Sequence, residues 1–369
     1  MAEKTILHVI DSTEPGGAET VFVQLADELR HHGYRSIVVV SGEGWVTEEL
    51  RRRNLEPRII DAKGAFNLAL VRGLLKIVRE EQVDLIQSHL LGSNVYCALV
   101  GLIARRPVVA TFHGMVDVSP DERLRWLKFQ IMNAGVSRFV AVSQRLSDAI
   151  QREGLLNPRK TTIIYNGVDF SRYGRTASTD LRDRLSLDES CILIGSLGNL
   201  HPAKGYDDLI KAARLVVDAH PEVHFVIAGD IKPHLIGDLE ALMKELSVEA
   251  NVHFIGFVDD SAAFLGQLDM FLLTSTSEGF SIATVEAMAT GLPCVVTRCG
   301  GPEEIVTDNV DALMVDPAEP TAIVEGVMRA LALPDRGLGL SKCARESVFK
   351  RFSLDEMFAR YTELYTALF

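Results

Sequence analysis

The sequence predicts an α/β protein of two Rossmann-like domains, each a doubly wound parallel sheet. Three observations carry this. Short apolar runs alternate with amphipathic stretches along the whole chain, the alternation runs twice with a polar stretch between, and 369 residues is a natural length for two domains. With 47% apolar and 24% charged residues, each half has material for a sizeable core.

In the first half, apolar runs at 5–10, 36–40, 58–60, 84–87, 108–111 and 139–142 read as strands, with helical patterns near 17–32, 67–80, 92–104 and 121–134 between them. Strand, helix, strand in succession implies parallel pairing covered on both faces. The second half repeats the rhythm with strands at 191–197, 224–228, 252–255, 270–273, 293–296 and 312–315, and no fixed-period repeat of solenoid type is present. The stretch 171–183 is polar and aperiodic, so the linker is expected there, giving domains 1–172 and 173–352. An aromatic-rich helix pattern, 353–369, closes the chain.

Five cysteines, odd in number and without the spacing of a zinc site, are expected to be reduced core thiols. No charged segment precedes an apolar one at the start, and the longest apolar runs, such as 95–104, reach about half of a bilayer span. A cytoplasmic protein is expected, soluble or at the inner face of a membrane. The net charge of −12 conceals an asymmetry: residues 1–175 hold 23 basic against 20 acidic residues, the remainder 15 against 30. Such a chain is a poor nucleic-acid binder, but its mildly basic half could approach an anionic membrane.

The stretch most telling of chemistry is 269–297. An apolar run leads into four hydroxyl residues, Thr274 to Ser277, then Glu278 and Gly279, a helical pattern holding Glu286, and Gly291-Leu292-Pro293 before the next apolar run. A loop between strand and helix start favours an anion, and a carboxylate can accept from both hydroxyls of a diol, so a sugar nucleotide is the expected ligand. Two glutamates eight residues apart arise often by chance among 50 acidic residues, so their surroundings carry the weight.

Those surroundings include Gly16-Gly17-Ala18-Glu19 in the first strand-helix turn, which is not a G-x-G-x-x-G fingerprint. His113-Gly114 follows the strand at 108–111, where strand ends of a doubly wound fold line a cleft. Lys204-Gly205 precedes a helix and supplies a mobile positive charge to a diphosphate leaving group. Gly229-Asp230 and Gly256-Phe257-Val258 end further strands. Ser143 and Asn166-Gly167-Val168-Asp169 are explained as a helix cap and a turn. Arg51, Arg52 and Arg53 read as a solvated helix end. The 121–134 pattern joins Arg123, Arg125, Lys128 and Trp126 to an apolar face that either packs on a core or rests on an anionic membrane.

Glu278-x7-Glu286, with Ala287-Met288-Ala289 and Gly291-Leu292-Pro293, resembles the E-x7-E motif of family 4 retaining glycosyltransferases. The resemblance implies the GT-B arrangement of two Rossmann-like domains, with the first binding acceptor, the second binding nucleotide sugar, and the C-terminal helix crossing back to the first. It implies a donor site of Gly16, Gly17, Asn199, Lys204, Gly229, Val258, Glu278, Gly279, Phe280, Ser281, Ile282 and Glu286, and catalytic roles for His113, Glu278 and Lys204. The Gly16-Gly17 loop is implied to lie against donor phosphates and acceptor, and the loops at Gly229 and Val258 against the base. One departure stands out: the family's second diphosphate cation, an arginine, is replaced by Asn199, with Arg298 a candidate substitute.

No Asp-x-Asp occurs, so a metal-clamped diphosphate is not expected and neither cofactor nor divalent ion is predicted. The expected activity is metal-independent, retaining transfer of a hexose from a UDP- or GDP-sugar to a glycan or lipid-linked acceptor in bacterial surface polysaccharide synthesis. Double displacement through two carboxylates is disfavoured, because one is occupied by ribose, and same-face attack with the departing phosphate oxygen as base is expected. A sugar-nucleotide 2-epimerase and a non-catalytic nucleotide-sugar-binding subunit remain as alternatives.

Overall fold

The computed structural model describes residues 3–62, 67–174, 178 and 180–369, with backbone alone at 335, 336 and 338. It divides into two units, Met1–Gly167 with Asp355–Phe369, and Val168–Leu354. The division falls at Gly167/Val168, ahead of the expected 172/173. Of the expected linker, residues 175–177 and 179 lie outside the described residues, and much of the rest is ordered: Phe170–Arg172 is a 3-10 turn capped by Asp169, and Asp180–Leu185 is a helix. Hydrogen bonds rather than an apolar stripe pin that helix, since Leu181 N donates to Gln267 at 2.8 Å and Arg182 pairs with Asp269 at 2.7 Å.

The first unit holds a seven-stranded sheet of β1 (Lys4–Ile10), β2 (Tyr34–Val40), β3 (Arg58–Ile59), β4 (Leu85–His89), β5 (Val108–Phe112), β6 (Arg138–Ala141) and β7 (Thr161–Ile163). Their order is β3-β2-β1-β4-β5-β6-β7, with parallel pairing throughout. The second unit has β8 (Ile192–Leu197), β9 (Val223–Ala228), β10 (Val252–Gly256), β11 (Met270–Leu273), β12 (Cys294–Thr297) and β13 (Leu313–Val315), ordered β10-β9-β8-β11-β12-β13 and again parallel. In each sheet the winding turns back beside the first strand, at β1/β4 and at β8/β11. That crevice is where an open α/β sheet accommodates ligands. The central strands are mainly apolar, as sheets covered on both faces require, while β4 buries the polar Gln87, Ser88 and His89.

A helix absent from the sequence reading, Trp45–Arg52, buries only Val46, Thr47 and Leu50, and its density of charge hides the period. It ends in the arginine triplet, which pairs with Glu43, Glu49 and Glu56. The pattern at 121–134 becomes a helix only over Arg125–Gly135, after a left-handed Leu124. Phe129 and Met132 face inward, while Val116, Leu124, Trp126 and Leu127 are exposed. Its expected basic face is largely neutralised, because Arg125 pairs with Glu153 and Lys128 with Glu122. Among the cysteines, Cys97, Cys294 and Cys299 are buried as expected, but Cys191 is half-buried and Cys343 exposed.

The C-terminal helix, Leu354–Thr366, buries Met357, Phe358, Tyr361 and Tyr365. Tyr365 donates to Gln87 Oε1 in the middle of β4 at 2.8 Å, and Tyr361 Oη lies 3.2 Å from Thr111 Oγ1 of β5. Truncating Tyr365 removes a fully buried ring and leaves the Gln87 carbonyl without its donor. We expect Tyr365→Ala to cost about 3–5 kcal/mol in chemical denaturation; a loss under about 1 kcal/mol would show that this helix contributes little to the first unit.

Candidate functional site

In the second unit, the loops on either side of the β8/β11 crevice interlock. The chain leaving β8 makes a 3-10 turn, Pro202–Lys204, and enters helix Tyr206–Ala219 through Gly205, at φ +62°. Glycine is required there for its left-handed backbone, and a Cβ would also strike the Thr274 carbonyl. Thr274 Oγ1 donates to Lys204 O at 2.9 Å and Thr276 N to Ala203 O at 2.8 Å. So fixed, Lys204 reaches Glu278 Oε1 at 2.7 Å, and Ser275 Oγ donates to the same oxygen at 2.7 Å. Burial pulls the Lys204 pKa down, but the Glu278 carboxylate outweighs it and the net shift is upward. Lys204 is therefore a firmly charged cation.

Glu278 is held through its backbone as well, its N–H donating to Cys299 O and its carbonyl accepting from Gly301 N, both at 3.1 Å. Gly279 and Phe280 follow, then Ser281, which caps helix Ile282–Thr290 by accepting from Thr284 N. The first turn of this helix presents amides that have no partner within it. On the far side of β8, Asn199 Oδ1 accepts from Asp230 N at 3.0 Å, Gly229 N donates to Gly256 O at 2.9 Å, and a Cβ at Gly229 would run into the Gly198 carbonyl. Half-buried Val258 lies just beyond. Arg298, the expected substitute for the missing arginine, is engaged elsewhere, with Asp308 at 2.6 Å and Asp316 at 3.8 Å. Its neighbouring carboxylates claim its charge.

Glu286 lies in the second turn of helix Ile282–Thr290 and is not bonded to the Lys204 pair. Tyr173 Oη donates to its Oε1 at 2.6 Å and Ser261 Oγ at 3.4 Å. Burial pushes its pKa up to about 7, against the opposing pull of these hydroxyls and the Arg172 charge. Tyr173 is itself raised, by burial and then by Glu286. Neither Tyr173 nor Ser261 was anticipated; Tyr173 lies where a linker was expected, and only its fold brings it to Glu286.

In the first unit, Gly16 and Gly17 open helix Gly17–His31, with Glu19 folded back so that a Cβ at Gly16 would meet its carboxylate. Asp11, at the end of β1, lies against Gly92 and accepts from Ser93 Oγ at 3.2 Å. Burial raises the pKa of both Asp11 and Glu19. Two such carboxylates beside the glycines suit hydroxyl groups better than phosphate. His113 follows β5, and its N–H donates to Asp117 Oδ2 at 2.7 Å while Leu91 N donates to Oδ1 at 3.1 Å. Asp117 thereby ties the end of β5 to the start of helix Leu91–Ala104, and burial pushes its pKa up to about 6 despite these amides. His89, at the end of β4, places Nδ1 2.9 Å from His113 Nε2, with the rings stacked at 5.1 Å. Asp117 and His89 escaped the sequence reading; a carboxylate four residues after His113 and a second histidine ending a strand were the available signals.

Residues 178–347 match the family of glycosyl transferases group 1 and residues 15–172 match glycosyltransferase family 4. The chain is 26% identical to the N-acetyl-alpha-D-glucosaminyl L-malate synthase of Bacillus anthracis, over 95% of this chain and 93% of that protein. It is 24% identical to the UDP-Gal:alpha-D-GlcNAc-diphosphoundecaprenol alpha-1,3-galactosyltransferase of Escherichia coli, over 81% of each. The structure of Anabaena Alr3699/HepE in complex with UDP-glucose is similar with a TM-score of 0.90 at 25% identity, covering 99% of this chain and 100% of that one.

The raised pKa of Glu286 has a consequence for stability. A carboxyl that holds its proton more tightly when folded favours the folded state fully below its ordinary value of 4.5, and that contribution is lost as pH rises through about 7. Unfolding free energies of the native chain and Glu286→Gln, measured across this range, are expected to converge and cross, the native chain losing up to about 3 kcal/mol relative to the variant. A difference that stays flat across that window would mean the carboxyl is already ionised.

Proposed function

Since the chain belongs to glycosyltransferase family 4, enzymes of glycan and polysaccharide synthesis, and has the GT-B fold, we propose that it moves a hexose from a nucleoside diphosphate sugar to a hydroxyl of a glycan or lipid-linked acceptor, with retention at the anomeric carbon. The observation that carries this reading is the Lys204–Glu278 pair at the β8/β11 crevice, a cation and a carboxylate held 2.7 Å apart beside a helix start. A nucleotide sugar presents a diphosphate next to sugar hydroxyls and needs those two groups side by side.

On this reading Lys204 turns from Glu278 to the diphosphate, which also takes amides from Gly279 to Ile282. Ser275 keeps Glu278 in place meanwhile. Among the described residues both bonds to Glu278 fall on Oε1, so Oε2 is left for a sugar hydroxyl. Glu286 is held in the same way through Oε1 and offers Oε2 to the ribose diol. The loops at Gly229 and Val258 take the base. The first unit receives the acceptor, its hydroxyls meeting Asp11 and Glu19 near Gly16 and Gly17, and His113 is the catalytic residue it contributes.

Asn199 adds no charge and Arg298 is occupied, so the diphosphate relies on Lys204 and the helix-start amides, without a divalent ion. As the leaving phosphate gains charge, these preorganised groups stabilise it, and its oxygen takes the acceptor proton on the same face. The UDP-glucose held by the Anabaena relative supports a UDP-sugar donor.

Nucleoside diphosphate release from UDP-glucose, UDP-galactose, UDP-N-acetylglucosamine and GDP-mannose, measured with chelator present, tests this. One donor is expected to turn over, with kcat/KM falling about 10²–10³-fold in Lys204→Met and in Glu278→Gln. Donor binding without release, even with lipid-linked acceptors supplied, would point instead to a non-catalytic subunit, and consumption of donor with no acceptor bound to an epimerase.

Among the described residues no helix is long and apolar enough to cross a membrane. Val116 (76%), Leu124 (65%) and Trp126 (71%), all exposed, lie on the segment that follows His113. We take it as the surface that meets the lipid of the acceptor at the inner face of a bacterial membrane, in surface polysaccharide synthesis. Apolar contact more than charge would hold it there, since two of the segment's three basic residues, Arg125 and Lys128, are already paired and, among the described residues, Arg123 alone is left. Flotation with anionic vesicles is expected to persist at high salt and to be lost in a Val116→Ser, Trp126→Ser double variant; binding that vanishes with salt alone would contradict apolar docking.

A further inference from the structure

The hydrogen bonds that end at His113 fix which of its ring nitrogens carries the proton. Ring protons follow from what each nitrogen faces. The chain of bonds begins at Gln87, whose amide orientation is determined. Its Nε2 lies 3.2 Å from the Ser88 carbonyl, an oxygen that only accepts, while its Oε1 receives the Tyr365 hydroxyl at 2.8 Å. Nε2 also donates to Thr111 Oγ1 at 2.9 Å and lies 3.2 Å from His89 Nε2.

An amide nitrogen has no acceptor capacity, so an N–H on His89 Nε2 would set two donors against each other. His89 Nε2 therefore accepts, and the neutral ring carries its proton on Nδ1. That nitrogen lies 2.9 Å from His113 Nε2 and donates to it. The proton of neutral His113 then falls on Nδ1, an atom that is buried with no hydrogen-bond partner among the described residues. Desolvation holds both rings neutral, lowering His113 to about 3 and His89, with the added influence of His113 and His8, well below the ordinary histidine value. A second proton that would break the sequence of donors is thus excluded at neutral pH.

We propose that Gln87 and His89 are positioning residues that lock neutral His113 in its Nδ1–H tautomer: with Nε2 accepting from His89 and Nδ1 protonated, the ring has no free lone pair and does not serve as a base. The tautomer's bearing on catalysis rests on the proposed role of His113 as a catalytic residue. An unpartnered buried donor is costly to maintain, and the His89 proton facing Nε2 is what keeps it on Nδ1. Tyr365, from the C-terminal helix, sets the far end of the relay by occupying the Gln87 carbonyl.

Long-range proton–nitrogen correlation spectra of the histidine rings in the ligand-free, full chain test the assignment directly, with the His113 signals identified by their loss in His113→Asn. The expected result is a protonated Nδ1 and unprotonated Nε2 in both His89 and His113; a proton on His113 Nε2 overturns the proposal. Gln87→Glu keeps the shape but replaces a donor with an acceptor, and is expected to reverse both rings and lower kcat about 10²-fold with little change in donor KM. Tyr365→Phe leaves Gln87 Nε2 in place and is expected to keep both tautomers, which separates the relay from packing. Rings that stay unreversed in a folded Gln87→Glu chain also overturn the proposal. For the functional half, His113→Asn, which retains a donor near the Nδ1 position, should keep more activity than His113→Ala, and full turnover in His113→Ala refutes it. If the native chain turns over no donor, the parent reading fails, while the ring spectra still decide the tautomer.

Discussion

In a parallel sheet every strand ends on the same edge, and where the order of strands turns back the two flanking loops depart to opposite sides and leave a crevice. This constraint places nearly every residue of interest. At β8/β11 it brings Lys204 and Glu278, 74 residues apart in sequence, to 2.7 Å. At β1/β4 it brings Asp11 against Gly92 and Ser93. The glycines at these loops serve close approach: Gly205 lets the β8 loop lie on Thr274, and Gly229 lets the loop after β9 lie on Gly198. Once the loops are packed so closely, their polar side chains have few orientations left, and the helix starts behind them supply amides in fixed directions.

Gathering polar groups at these edges is costly, and the molecule meets the cost differently in its two units. In the second, Lys204 and Glu278 offset each other's desolvation, so a full positive charge persists in a half-buried place. In the first, among the described residues, no ion pair offsets the burial of Asp11, Glu19 and Asp117, the pull of Lys128 on Asp11 being too weak to do so, and their pKa values rise while the neighbouring histidines stay neutral. One crevice thus suits a diphosphate and the other suits hydroxyls. Net charge gave no hint of this division. The acidic half of the chain, with 15 basic against 30 acidic residues, is the one that holds the cationic site. Local pairing, not the sum of charges, sets the chemistry.

Asn199, at the position where the family carries an arginine, accepts a hydrogen bond from Asp230 N. The side chain fastens the loop after β8 to the loop after β9, a structural use that an arginine would not fill in the same way. Arg298 is held by two aspartates of its own and does not make up the charge. The same lesson applies to the helix Arg125–Gly135, where a basic face written in the sequence is spent on Glu153 and Glu122, and the exposed apolar side chains remain as the distinctive surface.

By itself the sequence determined the α/β class, most of the strands, the loops bearing Gly16, His113, Lys204 and Glu278, and the helix bearing Glu286, because strand periodicity and the chemistry of turns are local properties that survive in a linear reading. It missed the helix Trp45–Arg52, whose few buried positions are masked by charge, and the order around 170–185, which depends on hydrogen bonds to distant residues. Only the tertiary structure decided that Tyr173 and Ser261 hold Glu286, that Asp117 secures the end of β5, and that Gln87, His89 and Tyr365 stand behind His113. Those partners come from strands and helices up to 278 residues apart, and hydrogen bonds of that kind leave no spacing in the chain to read. Protonation is decided there too, since burial and the identity of the facing atom, and not residue type, determine which groups hold a proton and on which atom.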